Sequence, residues 1–172
     1  MEAWTQLYSV TGGSAATLLG LLFVAVSINA SSTAVRMHQN SRRLAEQAFQ
    51  NFLVVMLVSL LALFPSLEKT ELGYVTLGLT ALRGVWALVR LYWAAKEPYE
   101  TSSRMQSFRR QLPSLIGFAV LMYAASCMAL DRGDTHTTFA IGIVVLLFSA
   151  TTLAWELLLR IAADQRPRAD SE

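Results

Sequence analysis

Five long apolar stretches run along the chain, each about the 20 residues a helix needs to cross a hydrocarbon core. They cover Ser9 to Asn29, Ala45 to Phe64, Leu72 to Trp93, Leu112 to Leu130 and Thr137 to Leu159. Polar segments separate them. Pro65 stops the second stretch. Pro113 is expected in the first turn of the fourth, where a missing N–H does no harm. The third stretch breaks the pattern, because it carries Arg83 and Arg90. The fold class predicted is all-α: a polytopic membrane helical bundle of five spans. It forms a single domain over residues 1–163, followed by a disordered polar tail, "DQRPRADSE", over 164–172.

Composition supports lipid as the solvent. Of 172 residues, 54% are hydrophobic and 15% charged, and the mean hydropathy is +0.43. A soluble domain carries about 25% charged residues. The single cysteine, Cys127, lies inside an apolar stretch. It allows no disulfide within the chain and no cysteine metal cluster. The opening "MEAWTQLY" has no lysine or arginine, so a cleaved signal peptide is not expected.

The net charge of +2 is less informative than its distribution. Arg36, Arg42 and Arg43 follow the first span. Lys96, Arg104, Arg109 and Arg110 follow the third. Arg160, Arg166 and Arg168 follow or end the fifth. Ten of the 14 lysines and arginines therefore fall on one side, against only Lys69 and Arg132 on the other. Cytoplasmic segments carry such an excess. The expectation is an N-terminus outside and a C-terminus in the cytoplasm. In "SSRMQSFRRQL", Met105, Phe108 and Leu112 recur at helical spacing. This suits an interfacial helix whose Arg104, Arg109 and Arg110 meet anionic headgroups. The orientation rule alone would also account for these arginines.

The first span holds Gly12, Ala16 and Gly20 at four-residue intervals, with Gly13 and Thr17 beside them. Such stripes let two helix backbones approach closely. The expected partner is another span of the chain; a second copy or another membrane protein is the alternative. The run "GGSAATLLGLLFVAVSIN", the arginine-bearing loop after it and the "LALFP" that ends the second span resemble a group of small bacterial multi-pass membrane proteins of unassigned activity. The resemblance covers mainly the first 65 residues. It implies a bacterial inner-membrane protein and carries no activity or site residues with it.

Catalytic patterns are poorly supplied. No H-E-x-x-H or P-loop occurs. The two histidines, His38 and His136, fall on opposite sides of the expected membrane. "GGSAA" lacks the last glycine of a nucleophile elbow and the strand that must precede it. Glu156 is the only carboxylate embedded in a span, so paired-carboxylate chemistry is excluded. Asp131, Asp134 and His136 share one short turn and make a weak cation signal. The chain is expected not to be an enzyme, and no cofactor, metal or nucleic-acid partner is expected.

The arginines of the third span lie on one polar stripe: Thr76, Thr80, Arg83, Ala87, Arg90, Ala94. That stripe should face protein or water. Arg90 lies near the cytoplasmic interface, level with Glu156, and the two are expected to form an ion pair. Arg83 lies at mid-span, where an arginine costs about 2.5–3.5 kcal/mol to insert. Asn51 comes closest to it in depth. In one reading these groups form a structural network. In the other, Arg83, Asn51 and Thr80 bind a ligand in a vestibule open to the cytoplasm. The leading functional expectation is an accessory or regulatory protein acting through helix contacts. The alternative is a small channel or transporter for an anion or small polar solute.

Overall fold

The computed structural model describes the backbone of residues 2–31, 39–96, 101–132 and 135–164, and the side chains of 4–28, 44–85, 112–132, 135–160 and 162. The described residues form five helices: α1 (Glu2–Ser31), α2 (Gln39–Ala62), α3 (Lys69–Lys96), α4 (Thr101–Ala129) and α5 (His136–Asp164). Four contain stretches long and apolar enough to span a membrane: Trp4–Ile28, Leu44–Ala62, Leu112–Ala129 and His136–Arg160. α3, with 28 residues, is not among those four. The tail from residue 165 lies outside the described residues.

The helices run past the expected stretches, furthest at the starts of α1, α2 and α4. α1 begins at Glu2, so "EAWTQLY" is helical too. α4 begins at Thr101, which places Pro113 in its interior. The basic segment and the apolar stretch are thus one continuous helix. Proline there removes one backbone donor from the ladder. Neighbouring helices and side chains make that tolerable in a membrane helix.

The other ends follow from local chemistry. After α2, Leu67 N donates to Phe64 O at 3.2 Å, closing a turn with Pro65 at its second position. At the start of α3, the Glu71 carboxylate reaches back to the Glu68 N–H at 3.3 Å, the reciprocal half of a capping box. α4 closes with two bonds, Arg132 N to Cys127 O at 2.9 Å and Asp131 N to Met128 O at 3.1 Å. Asp131 sits in the left-handed region at φ 49°. Together these make a Schellman cap with aspartate in the position glycine usually takes.

The helices alternate in direction. Thr11 near the start of α1 meets Ser59 near the end of α2. Gly73 near the start of α3 meets Ala125 and Ala129 near the end of α4. α4 and α5 share one antiparallel register: Ser114 opposite Ser149, Gly117 opposite Leu146, Leu121 opposite Gly142. α1 and α5 run parallel, since Trp4 stacks on His136 and Tyr8 meets Phe139 edge-on, with ring centroids 5.9 and 6.0 Å apart. The end holding Trp4, Lys69, Asp131 and His136 is called the near end below.

α1, α2 and α5 pack together around the core of Ala15, Phe52, Val55, Val58, Ile143 and Leu146. α4 lies against α5, and α3 lies along α4 with only a light contact to α2. α3 is therefore the outermost helix of the bundle.

Candidate functional site

Polar side chains inside the bundle are few, and most of them join one helix to another. Ser114 of α4 is the node. Asn51 Nδ2 of α2 donates to its hydroxyl at 2.8 Å, and Gln47 Nε2, one turn away, reaches it at 3.5 Å. Ser149 Oγ of α5 shares a hydrogen bond with it at 2.7 Å. Asn51, Ser114 and Ser149 are all buried. A hydroxyl has one proton to give and two lone pairs to receive. Ser114 can therefore accept from both amides while donating to Ser149. A second tie joins Thr11 Oγ1 to Ser59 Oγ at 3.2 Å, beside Gly12, where an added Cβ would lie 3.0 Å from Ser59 Cβ.

Asn51 was legible in the sequence as the polar group closest in depth to Arg83. Ser114 was not. It stands at the edge of an apolar stretch, directly after Pro113, and reads there as part of a helix start. Its position inside α4 is what turns it into the hub.

The expected trio of Arg83, Asn51 and Thr80 is not joined by hydrogen bonds. Thr80 Oγ1 bonds back to Thr76 O at 2.8 Å and Leu77 O at 3.1 Å within its own helix. Asn51 is engaged at Ser114. Arg83 makes no hydrogen bond or ion pair among the described residues. The Glu156 carboxylate takes Arg160 Nη2 at 3.0 Å, one helical turn along α5. The side chain of Arg90, its expected partner, lies outside the described residues. So do those of Arg104, Arg109, Arg110 and His38.

The polar stripe of α3 does face protein at its near end. Leu72, Gly73, Thr76 and Thr80 are buried, while Tyr74 and Leu82 on the opposite face are 62% and 63% exposed. Contact with α4 is closest at Gly73, where an added Cβ would stand 2.5 Å from Ala129 N and 2.9 Å from Ala125 O. Ten residues on, the contact has opened. Arg83 continues the inner face yet is only half-buried. Gly84, also on that face, has nothing within 4 Å of its added Cβ. α3 thus presses on α4 at Gly73 and leaves open space beside Gly84. Thr76 Oγ1, on the same face and fully buried, has no partner among the described residues.

The small-residue stripe of α1 divides between two surroundings. Gly12 packs within the chain, but Ala16 and Gly20 are exposed, and nothing lies within 4 Å of Gly13 or Gly20. The reason is geometric. At 3.6 residues per turn, each four-residue step advances about 40° around the helix. A stripe that starts inward at Gly12 has rotated outward by Gly20. The inner face is instead Tyr8, Thr11, Ala15 and Leu22. The glycines that seat helices on one another are Gly12, Gly73, Gly117 and Gly142, each opposed by a residue of a neighbouring helix within 3.0 Å of an added Cβ.

No family model, curated protein or solved structure matches the chain.

Proposed function

We propose that this is a multi-pass protein of the bacterial inner membrane, with five spans, N-terminus outside and C-terminus in the cytoplasm. Its role is accessory or regulatory, and it works through helix contacts rather than catalysis. The alternation of helix directions supports five crossings. α2 ends at the near end and α4 starts from the far end, so α3 must connect the two ends across the same thickness. The ten-to-two bias of basic residues supports the orientation.

The observation that carries the functional reading is the outward face of α1. Ser9, Gly13, Ala16, Thr17 and Gly20 are all exposed, on a helix whose opposite face is fully used by α2 and α5. Close backbone approach by another membrane helix needs such a surface. Meanwhile the buried polar groups fasten α2, α4 and α5 together, which makes a rigid support for it. The partner is a second copy or another membrane protein.

A second reading is favoured by one feature, the open space beside half-buried Arg83. A small channel for an anion or polar solute would place such a residue on its path. The test is flux. Purified protein in liposomes should pass no anion, and Arg83→Ala should change nothing. Flux that Arg83→Ala abolishes while the protein stays folded would establish the channel and overturn the accessory reading.

A further inference from the structure

We infer that the outward faces of α3, α4 and α5 meet the two boundaries of a lipid bilayer at Tyr74 and Tyr123 on one side and at Trp155 on the other. The inference rests on the membrane-spanning reading above and not on the accessory role. Among the described residues the exposed tyrosines and tryptophans are these three, at 62%, 63% and 64%. Tyrosine and tryptophan collect where hydrocarbon gives way to headgroups, because each joins an apolar ring to a group that seeks a hydrogen bond.

Their depths agree with that role. Ser114, Gly117 and Leu121 of α4 stand opposite Ser149, Leu146 and Gly142 of α5. The same register sets Tyr123 level with Ala140. From Ala140 to Trp155 is 15 residues, about 22 Å of helix rise. Gly73 lies against the turn from Ala125 to Ala129, so Tyr74 is level with Ser126, roughly 4–5 Å closer to the near end. The two boundaries are therefore about 22–27 Å apart, against a hydrocarbon core of about 30 Å. Rings whose polar tips snorkel outward span the difference.

The residues between and beyond these levels fit the same placement. Between them, every exposed residue described on α3 and α4 is apolar or glycine. α5 exposes Ile141, Val144, Phe148 and two threonines. Thr151 and Thr152 turn their hydroxyls back to Leu147 O and Ser149 O at 2.9 and 2.8 Å. Lipid tails offer no hydrogen bonds, so a polar group among them must be satisfied by the chain itself. Charge resumes beyond the aromatic residues, with Lys69 and Asp131 past the tyrosines and Glu156 and Arg160 past Trp155. Arg83 lies between the two levels but continues the inner face of α3. On this placement the Glu156–Arg160 pair is interfacial. Ser149, six residues from Trp155, sets the Ser114 node about 9 Å inside the boundary.

Depth-dependent quenching tests the placement. Trp4, Trp86 and Trp93 are replaced by phenylalanine, which leaves Trp155 as the single tryptophan. In three further variants Trp155→Phe is combined with Phe148→Trp, Tyr123→Trp or Tyr74→Trp. Each protein is reconstituted in phosphatidylcholine vesicles that carry a nitroxide either near the headgroup or near the end of an acyl chain. The shallow nitroxide should quench Trp155, Tyr74→Trp and Tyr123→Trp about twofold more than the deep one, and the order should reverse for Phe148→Trp. Phe148 shares the outward face of Trp155 two turns away and is 67% exposed, so depth alone separates them. The first variant keeps the native residue at its test position and reads one boundary even if a substituted variant misfolds. Deep quenching that equals or exceeds shallow quenching at Trp155, Tyr74→Trp or Tyr123→Trp overturns the placement and leaves the spans standing. So does a Phe148→Trp that is quenched like Trp155. No quenching at any position overturns the membrane-spanning reading and the placement together.

Discussion

At the residue scale the interior is governed by one hydroxyl. Ser114 satisfies Asn51 and Ser149 at 2.8 and 2.7 Å, in a place where water does not compete. Ser114→Ala would leave an amide donor and a hydroxyl buried without their partner. Unfolding in mixed micelles titrated with a denaturing detergent should show a loss of about 1–2 kcal/mol. Asn51→Leu removes the donor as well as its need for Ser114. The double variant Asn51→Leu with Ser114→Ala should therefore lose clearly less than the two single losses combined. Strictly additive losses would mean that the two side chains do not share a bond. Asn51 was visible in the sequence because an amide in an apolar stretch stands out. Ser114 was not, because serine at the start of a helix is ordinary and only the extension of α4 to Thr101 makes it internal.

At the element scale the helices are seated by isolated glycines. Gly73→Ala would push a methyl group to within 2.5 Å of the α4 backbone. Backbone cannot yield as a side-chain tip does, so α3 and α4 must separate, at about 1–3 kcal/mol. Gly20→Ala meets nothing within 4 Å and should raise the stability of the isolated protein by up to about 1 kcal/mol through helix propensity. The same denaturant titration should therefore give opposite signs for the two variants. A matching loss at Gly20 would mean that its face is covered in the folded protein. These roles were not legible in the sequence, where Gly12, Ala16 and Gly20 looked like the packing stripe. The apolar stretches gave the helices themselves, because lipid demands about 20 consecutive apolar residues. They did not give the register between helices. Gly117 and Gly142 matter because a leucine of the facing helix stands opposite each, and that pairing exists only once α4 and α5 are aligned. The polar first turns of α1 were not legible for a related reason, since helix outside the lipid need not be apolar, whereas the helical spacing of Met105, Phe108 and Leu112 did point to the extension of α4.

At the scale of the whole molecule, the question is parity. α1 and α5 start at the same end, and α2 and α4 return between them. α3 is the link from the end of α2 to the beginning of α4, and Lys69 reaches Asp131 across that near end at 3.7 Å. If the other four helices cross a bilayer in this arrangement, α3 crosses with them, whatever its arginines cost. Its position at the edge of the bundle, against α4 alone over most of its described length, makes that cost local. A bundle in which α3 lay on the surface would put the two ends of the chain on the same side. Five crossings put them on opposite sides. A reporter that works only in the cytoplasm, fused after Glu172, should therefore be active. A cysteine placed at Ser66, in the exposed turn before α3, should react with a membrane-impermeant thiol reagent added to intact cells. An inactive reporter together with a reactive Ser66→Cys would mean that α3 does not cross. Arg83 would then lie at the surface, and its lack of a partner would need no explanation beyond water.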